Sequence, residues 1–86
     1  MGTKNKPGAY DCYKGLEPDE PYFLLRATDA SAPDLVETWA EMYSDRKIDA
    51  DEWDERAQQK YREALDVAKA MREHARKKRK ALLGIL

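Results

Sequence analysis

From Ala50 to Leu82 the chain runs without a glycine or a proline. The stretch is rich in Ala, Glu, Lys, Arg and Gln, which favour helix. It predicts one long C-terminal helix, and thirty residues of helix span roughly 45 Å. In a chain of 86 residues, everything else must be explained by what packs on that rod. Asp49-Ala50-Asp51-Glu52 reads as its start, with Asp49 as N-cap and Glu52 three residues on. Gly84 is placed to end it. Trp53, Ala57, Tyr61, Ala64, Ala68, Met71 and Ala75 form its apolar stripe, in steps of three and four. Four of these seven are alanine, so a second helix can approach closely.

The second helix is signalled just upstream. Ser31-Ala32-Pro33-Asp34 combines a capping serine, a first-turn proline and a capping-box spacing. The helix is expected to reach about Ser44, with Leu35, Val36, Trp39, Ala40, Met42 and Tyr43 as its apolar face. Trp39 is the side chain expected against the alanines. Tyr22 to Thr28 is aromatic and apolar between Pro21 and Asp29, which predicts a strand. A lone strand leaves its backbone groups unsatisfied. It therefore calls for residues 9 to 15 as a hairpin partner or for a second subunit, the alternative being irregular chain wrapped on the helices.

These elements predict a mainly α fold with a minor β part. A short N-terminal strand or β-hairpin is followed by a two-helix antiparallel hairpin with a long C-terminal helix. Residues 1 to 8 read as a flexible arm, and residues 9 to 86 as a single small helical domain with a basic helix end at 69–80 and an apolar tail at 81–86. A chain this short buries roughly 60–65% of its unfolded surface. The thin core and the unpaired strand point to a homodimer.

Composition removes several classes of function. No apolar run approaches the roughly 20 residues of a membrane span, and no h-region follows Lys4 and Lys6 as a signal peptide requires. A single cysteine cannot staple a fold. Cys12 and His74 are single, distant and without a flanking signature, and together they cannot close a zinc site. Cys12 reads as a small buried apolar residue and His74 as solvated. Asp19 and Glu20 are adjacent loop carboxylates without fixed acid–base geometry. An EF-hand alignment over Glu41 to Glu52 puts Tyr43 at the third loop position and Arg46 where a glycine is needed, so it fails. No catalytic, metal or cofactor site is expected, and the chain is read as a non-enzyme.

Charge is the most informative remainder. Lys69 to Lys80 holds seven basic residues and one acidic, a local +6, while the rest of the chain sums to -7. The acidic start and basic end of the long helix both complement its dipole. Arg72, Arg76, Lys77, Lys78, Arg79 and Lys80 are the candidate contact residues, for a partner protein or for nucleic acid through counterion release. Nuclear targeting is another reading of the run, in a source with a nucleus. No aromatic interleaves the run to stack on bases. The loop at Asp19 and Glu20 is a second candidate contact. The tail after the basic run reads either as a marginal membrane-surface anchor or, preferably, as a segment that folds back or docks on a sister subunit.

Tyr10-Asp11-Cys12-Tyr13, then Pro18-Asp19-Glu20-Pro21-Tyr22-Phe23, then Ala32-Pro33 and Trp39-Ala40 form an ordered series. It resembles small uncharacterised proteins encoded in bacteriophages and prophages, well over residues 9 to 46 and loosely over the last helix. Ala70-Met71 matches the pair near which their closing helix ends, and this chain departs by running on through the basic residues to Leu86. No established activity attaches to that family, so no catalytic residue carries over. The resemblance implies a phage or prophage accessory protein in a bacterial cytoplasm. It agrees with a protein-interaction module that binds a host or phage protein and modulates or inhibits it. A nucleic-acid-binding accessory protein using the same basic helix is the alternative.

Overall fold

The computed structural model describes residues 1–10 and 12–84. Asp11, and Ile85 and Leu86 of the expected tail, lie outside the described residues. A short 3₁₀ turn at Tyr13–Gly15 precedes two helices, α1 (Ala32–Asp49) and α2 (Glu55–Leu83). Arg72 of α2 meets Asp34 and Glu37 near the start of α1, while Lys60 lies over Trp39 and Tyr43 further along it. Residue numbers rise along one helix as they fall along the other, so the pair is an antiparallel hairpin. α2 alone is roughly 44 Å long and accounts for most of the 50 Å long axis.

The interior is small in every sense. Ala32, Ala40, Ala57, Ala64 and Ala68 are buried together with Pro33, and no large side chain is fully buried. The predicted stripe from Ala57 onward is thus the inner face of α2, with Tyr61, Met71 and Ala75 half-buried beside the three alanines, while Trp53, expected to open the stripe, is half-buried in the connection before the helix. On α1 the inner row is Val36, Ala40 and Tyr43. Trp39 does not enter the seam. It stacks on Tyr43 at 5.1 Å between ring centroids, and Ala40 takes the inward position. Leu35 and Met42, read from sequence as core, are exposed with it. An alanine-lined contact is too narrow to cover the sides of either helix.

The helix boundaries differ from expectation by a turn or more, for a local reason. α1 continues past Ser44 to Asp49 and then closes on itself. Asp51 N–H donates to Ile48 O at 3.0 Å and Glu52 N–H to Lys47 O at 2.8 Å. This is a Schellman closure, with Asp51 in the left-handed region at φ 57°. Glycine is the usual occupant there, and aspartate is one of the few other residues that tolerate it. The acidic cluster that reads as a helix start is therefore a helix end. The cap of α2 is Asp54, whose carboxylate accepts from Ala57 N–H at 2.8 Å. At the other terminus Gly84 stops α2 with φ 67°, as its position predicts.

Ser31 occupies the N-cap position of α1 but makes no side-chain cap bond. Its hydroxyl and its N–H both donate to Asp29 Oδ1, at 2.8 and 3.0 Å, so Asp29 orders the entry. These bonds hold the Asp29 carboxyl below its usual range. Asp34, the expected capping-box partner, pairs with Arg72 instead.

No strand forms among the described residues. Tyr22 to Arg26 carry no repetitive structure, and Phe23 is 82% exposed. Residues 13–15 are coiled into the 3₁₀ turn and so present no straight edge to pair with. The two segments meet through rings, Tyr13 and Tyr22 lying edge-on at 5.9 Å. Cys12, read as buried, is exposed and its thiol faces Tyr10 O at 3.7 Å. Residues nearer the start touch α2. The Met1 ammonium lies 3.0 Å from Glu63 Oε1, and Tyr10 hydroxyl donates to Arg56 O at 3.5 Å.

Two substitutions test this account in urea unfolding. Ala64→Leu overfills the seam and is expected to cost about 1–3 kcal/mol, while the same change at exposed Ala70 falls within about 0.5 kcal/mol of neutral. Asp51→Gly relieves a left-handed penalty of about 1–2 kcal/mol and adds an entropic cost of about 0.5–1 kcal/mol, for a net gain of about 0.5 kcal/mol.

Candidate functional site

The expected contact residues divide into two groups. Arg72 is a structural tie. Its guanidinium donates to both oxygens of Glu37, at 2.9 and 2.6 Å, and to Asp34 Oδ1 at 2.7 Å. One residue of α2 thus grips two consecutive turns of α1 on the same flank. The two-pronged geometry suits a planar guanidinium and not an ammonium. Exposed ion pairs add little stability each, so the main effect is to fix the sliding register of the two helices. The charge-assisted bonds draw the Glu37 carboxyl below its ordinary range and hold the Arg72 guanidinium charged well above its own.

Ala75 is the last half-buried residue of α2. Residues 76–83 extend past the start of α1 as a free helical arm roughly 12 Å long. Residues 76–84 are all exposed. Arg76 pairs with Glu73 one turn back, and this bond, with help from Lys77 and Lys80, keeps the Glu73 carboxyl low. Lys77, Lys78, Arg79 and Lys80 make no ion pair or side-chain hydrogen bond among the described residues. Successive side chains step by about 100° round the helix, so these cations ring the arm instead of lining one side. Leu82 and Leu83 sit exposed at its tip and do not fold back on the hairpin. His74, just before the arm, is exposed, as expected.

The second candidate contact is a structural corner in part. Glu20 N–H donates to Glu17 O at 3.1 Å, and Glu20 Oε1 accepts from Glu17 N–H at 3.2 Å. Pro18 and Asp19 occupy the middle of that turn, where proline's fixed φ is suited. Glu20 is thus bound to its own turn, while Asp19 is exposed at the tip. No hydrogen bond or ion pair joins this loop to the basic arm among the described residues.

Near the closed end of the hairpin lies a cluster that sequence reasoning missed. Lys60 Nζ stands over the rings of Trp39 and Tyr43 at 5.7 and 5.2 Å, and Lys47 over Tyr43 at 5.7 Å. The four-residue spacing of Trp39 and Tyr43 was a visible signal for a stacked pair, but the lysines come from α2 and from a turn further along α1. The shallow cleft beside them, about 300 Å³, also holds Glu52 and Asp54. Lys47 is 3.7 Å from Glu52. Lys47, Arg56 and Lys60 face Glu52 and Asp54 there, so the lining carries one net positive charge and no dense patch of either sign. No group of three or more metal-ligating side chains occurs among the described residues. The residues of the failed EF-hand alignment from Glu41 to Asp49 are continuous helix, so no loop exists to wrap an ion.

The Glu37–Arg72 tie makes a pH prediction. A carboxyl whose folded pKa lies below its unfolded value stabilises the fold fully above the unfolded value, and loses that contribution as pH falls through the folded one. Between about pH 6 and about pH 3 the urea midpoint should therefore fall less in Glu37→Gln than in the parent chain. An equal fall in both would show that the tie adds no pH-dependent stability.

Compared with protein-family models, with curated proteins and with solved structures, the chain finds no match.

Proposed function

We propose that the chain is a non-enzymatic protein-interaction module whose basic arm engages an acidic surface on a partner protein. The observation that carries this reading is the free end of α2. A helical arm stands clear of α1, ringed by Lys77, Lys78, Arg79 and Lys80, which make no direct ion pair or side-chain hydrogen bond among the described residues, with Leu82 and Leu83 bare at its tip. Unpaired cations steer association and set specificity, and exposed leucines add apolar contact at the end of the approach. Arg72 and Arg76 are already engaged within the chain, so the contact set narrows to the four residues beyond them. The sequence resemblance supplies the context: a phage or prophage accessory protein in a bacterial cytoplasm that modulates or inhibits a host or phage factor. The reading includes pairing of two copies, because the hairpin buries no large side chain of its own.

Nucleic acid is the competing occupant of the same arm. It gains from the same cations but finds no aromatic among them for stacking. A tagged chain is used to capture partners from bacterial lysate, with half of the lysate treated with nuclease. The expected result is a stoichiometric protein band that survives nuclease and is lost in the variant with Lys77, Lys78, Arg79 and Lys80 all changed to Glu. Recovery of nucleic acid, with a binding affinity that falls with salt at a log–log slope of roughly -3 to -4, would instead favour the competing reading.

A further inference from the structure

The large apolar side chains of α1 are exposed in an ordered row. Leu35, Trp39 and Met42 follow one another at four and three residues and are 49%, 41% and 56% exposed. That is the spacing of a helix-packing seam, turned aside from the inner row of Val36, Ala40 and Tyr43. The two ends of the hairpin differ in sign. Residues 45–55 carry six carboxylates against Arg46 and Lys47, whereas residues 72–80 carry six cations against Glu73.

We propose that the Leu35–Trp39–Met42 row is a homodimer interface, packed against the same row of a second copy in antiparallel orientation. This rests on the pairing included in the functional reading and gives it a face and a direction. Lys60 overlies part of the Trp39 ring; the part that stays exposed is placed on the two-fold axis, so that Leu35 of one copy lies against Met42 of the partner subunit and the contact is self-complementary as an isologous interface must be. The lengths agree. Asp49 lies roughly 15 Å from Trp39 along α1. Arg72 is level with Asp34 and Glu37, so Lys77 to Lys80 lie roughly 13–17 Å from Trp39 in the opposite direction. An antiparallel partner therefore brings its acidic closed end beside the basic arm, and each copy does the same for the other. A parallel pair would set like charges together. The three apolar side chains alone do not make up the roughly 800 Å² per partner of a standard interface, so the complementary ends are part of the contact. Because the cations ring the arm, a sister copy covers only one side of it and leaves the others for a partner protein.

Sedimentation of the purified chain, with no partner present, tests the pairing. The expected species has twice the 10.0 kDa mass of the chain. Met42→Glu is expected to weaken it by roughly tenfold or more while helicity by circular dichroism is unchanged, and Gln59→Glu, on an exposed position of α2, to leave it intact. Zero-length carbodiimide cross-linking tests the direction. Asp49, Asp51 and Glu52 lie roughly 30 Å from Lys77 to Lys80 within one chain, so cross-links between these groups must join two copies, and they are expected. A monomer at about 100 μM, a dimer indifferent to Met42→Glu, or a dimer without end-to-end cross-links would each overturn the proposal. Failure to capture a partner from lysate would leave these results unaffected.

Discussion

Alanine against alanine is the contact on which the molecule depends. Ala40 of α1 and Ala57, Ala64 and Ala68 of α2 allow two helices to lie close, and closeness brings Arg72 within reach of two turns of α1. The same choice has a cost. Alanine buries little area, and apolar burial contributes only about 25 cal/mol per Å². Side chains that would fill an ordinary core are pushed to the flanks, where Trp39 and Tyr43 stack and Lys60 covers them. The hairpin is held by a narrow seam, a guanidinium tie near one end and a cation–aromatic cluster near the other.

The two helices are unequal in length. α1 has 18 residues and α2 has 29, and the surplus emerges beyond the Arg72 tie. The chain places its densest positive charge on that surplus and its densest negative charge at the closed end. The resulting dipole is larger than either helix alone supplies. In the proposed reading it orients the molecule toward a surface of opposite sign, including the opposite end of another copy.

Much of the scaffold was legible in the sequence. The alanine stripe of α2, its termination at Gly84 and the packing of a second helix all follow from periodicity and breaker residues. The divide between the helices was not, because Asp-Ala-Asp-Glu carries the same letters whether it starts a helix or ends one. Only the left-handed φ of Asp51 decides the matter, and propensity rules reserve that conformation for glycine. The strand at Tyr22 to Thr28 had the right composition but no straight neighbour to pair with, and pairing is a property of two segments. In the candidate site, the basic run was visible while its division was not. Arg72 and Lys77 look alike in sequence, and only the position of α1 separates the tied cation from the bare ones.

The central claim is that one hairpin is an incomplete fold whose exposed apolar row is covered by a second copy. The most direct measurement is the melting temperature as a function of protein concentration. A dimer linked to folding gains stability by mass action, so a hundredfold rise in concentration should raise the midpoint by about 5 °C or more. A midpoint independent of concentration would mean that the alanine seam suffices alone, and would contradict the account.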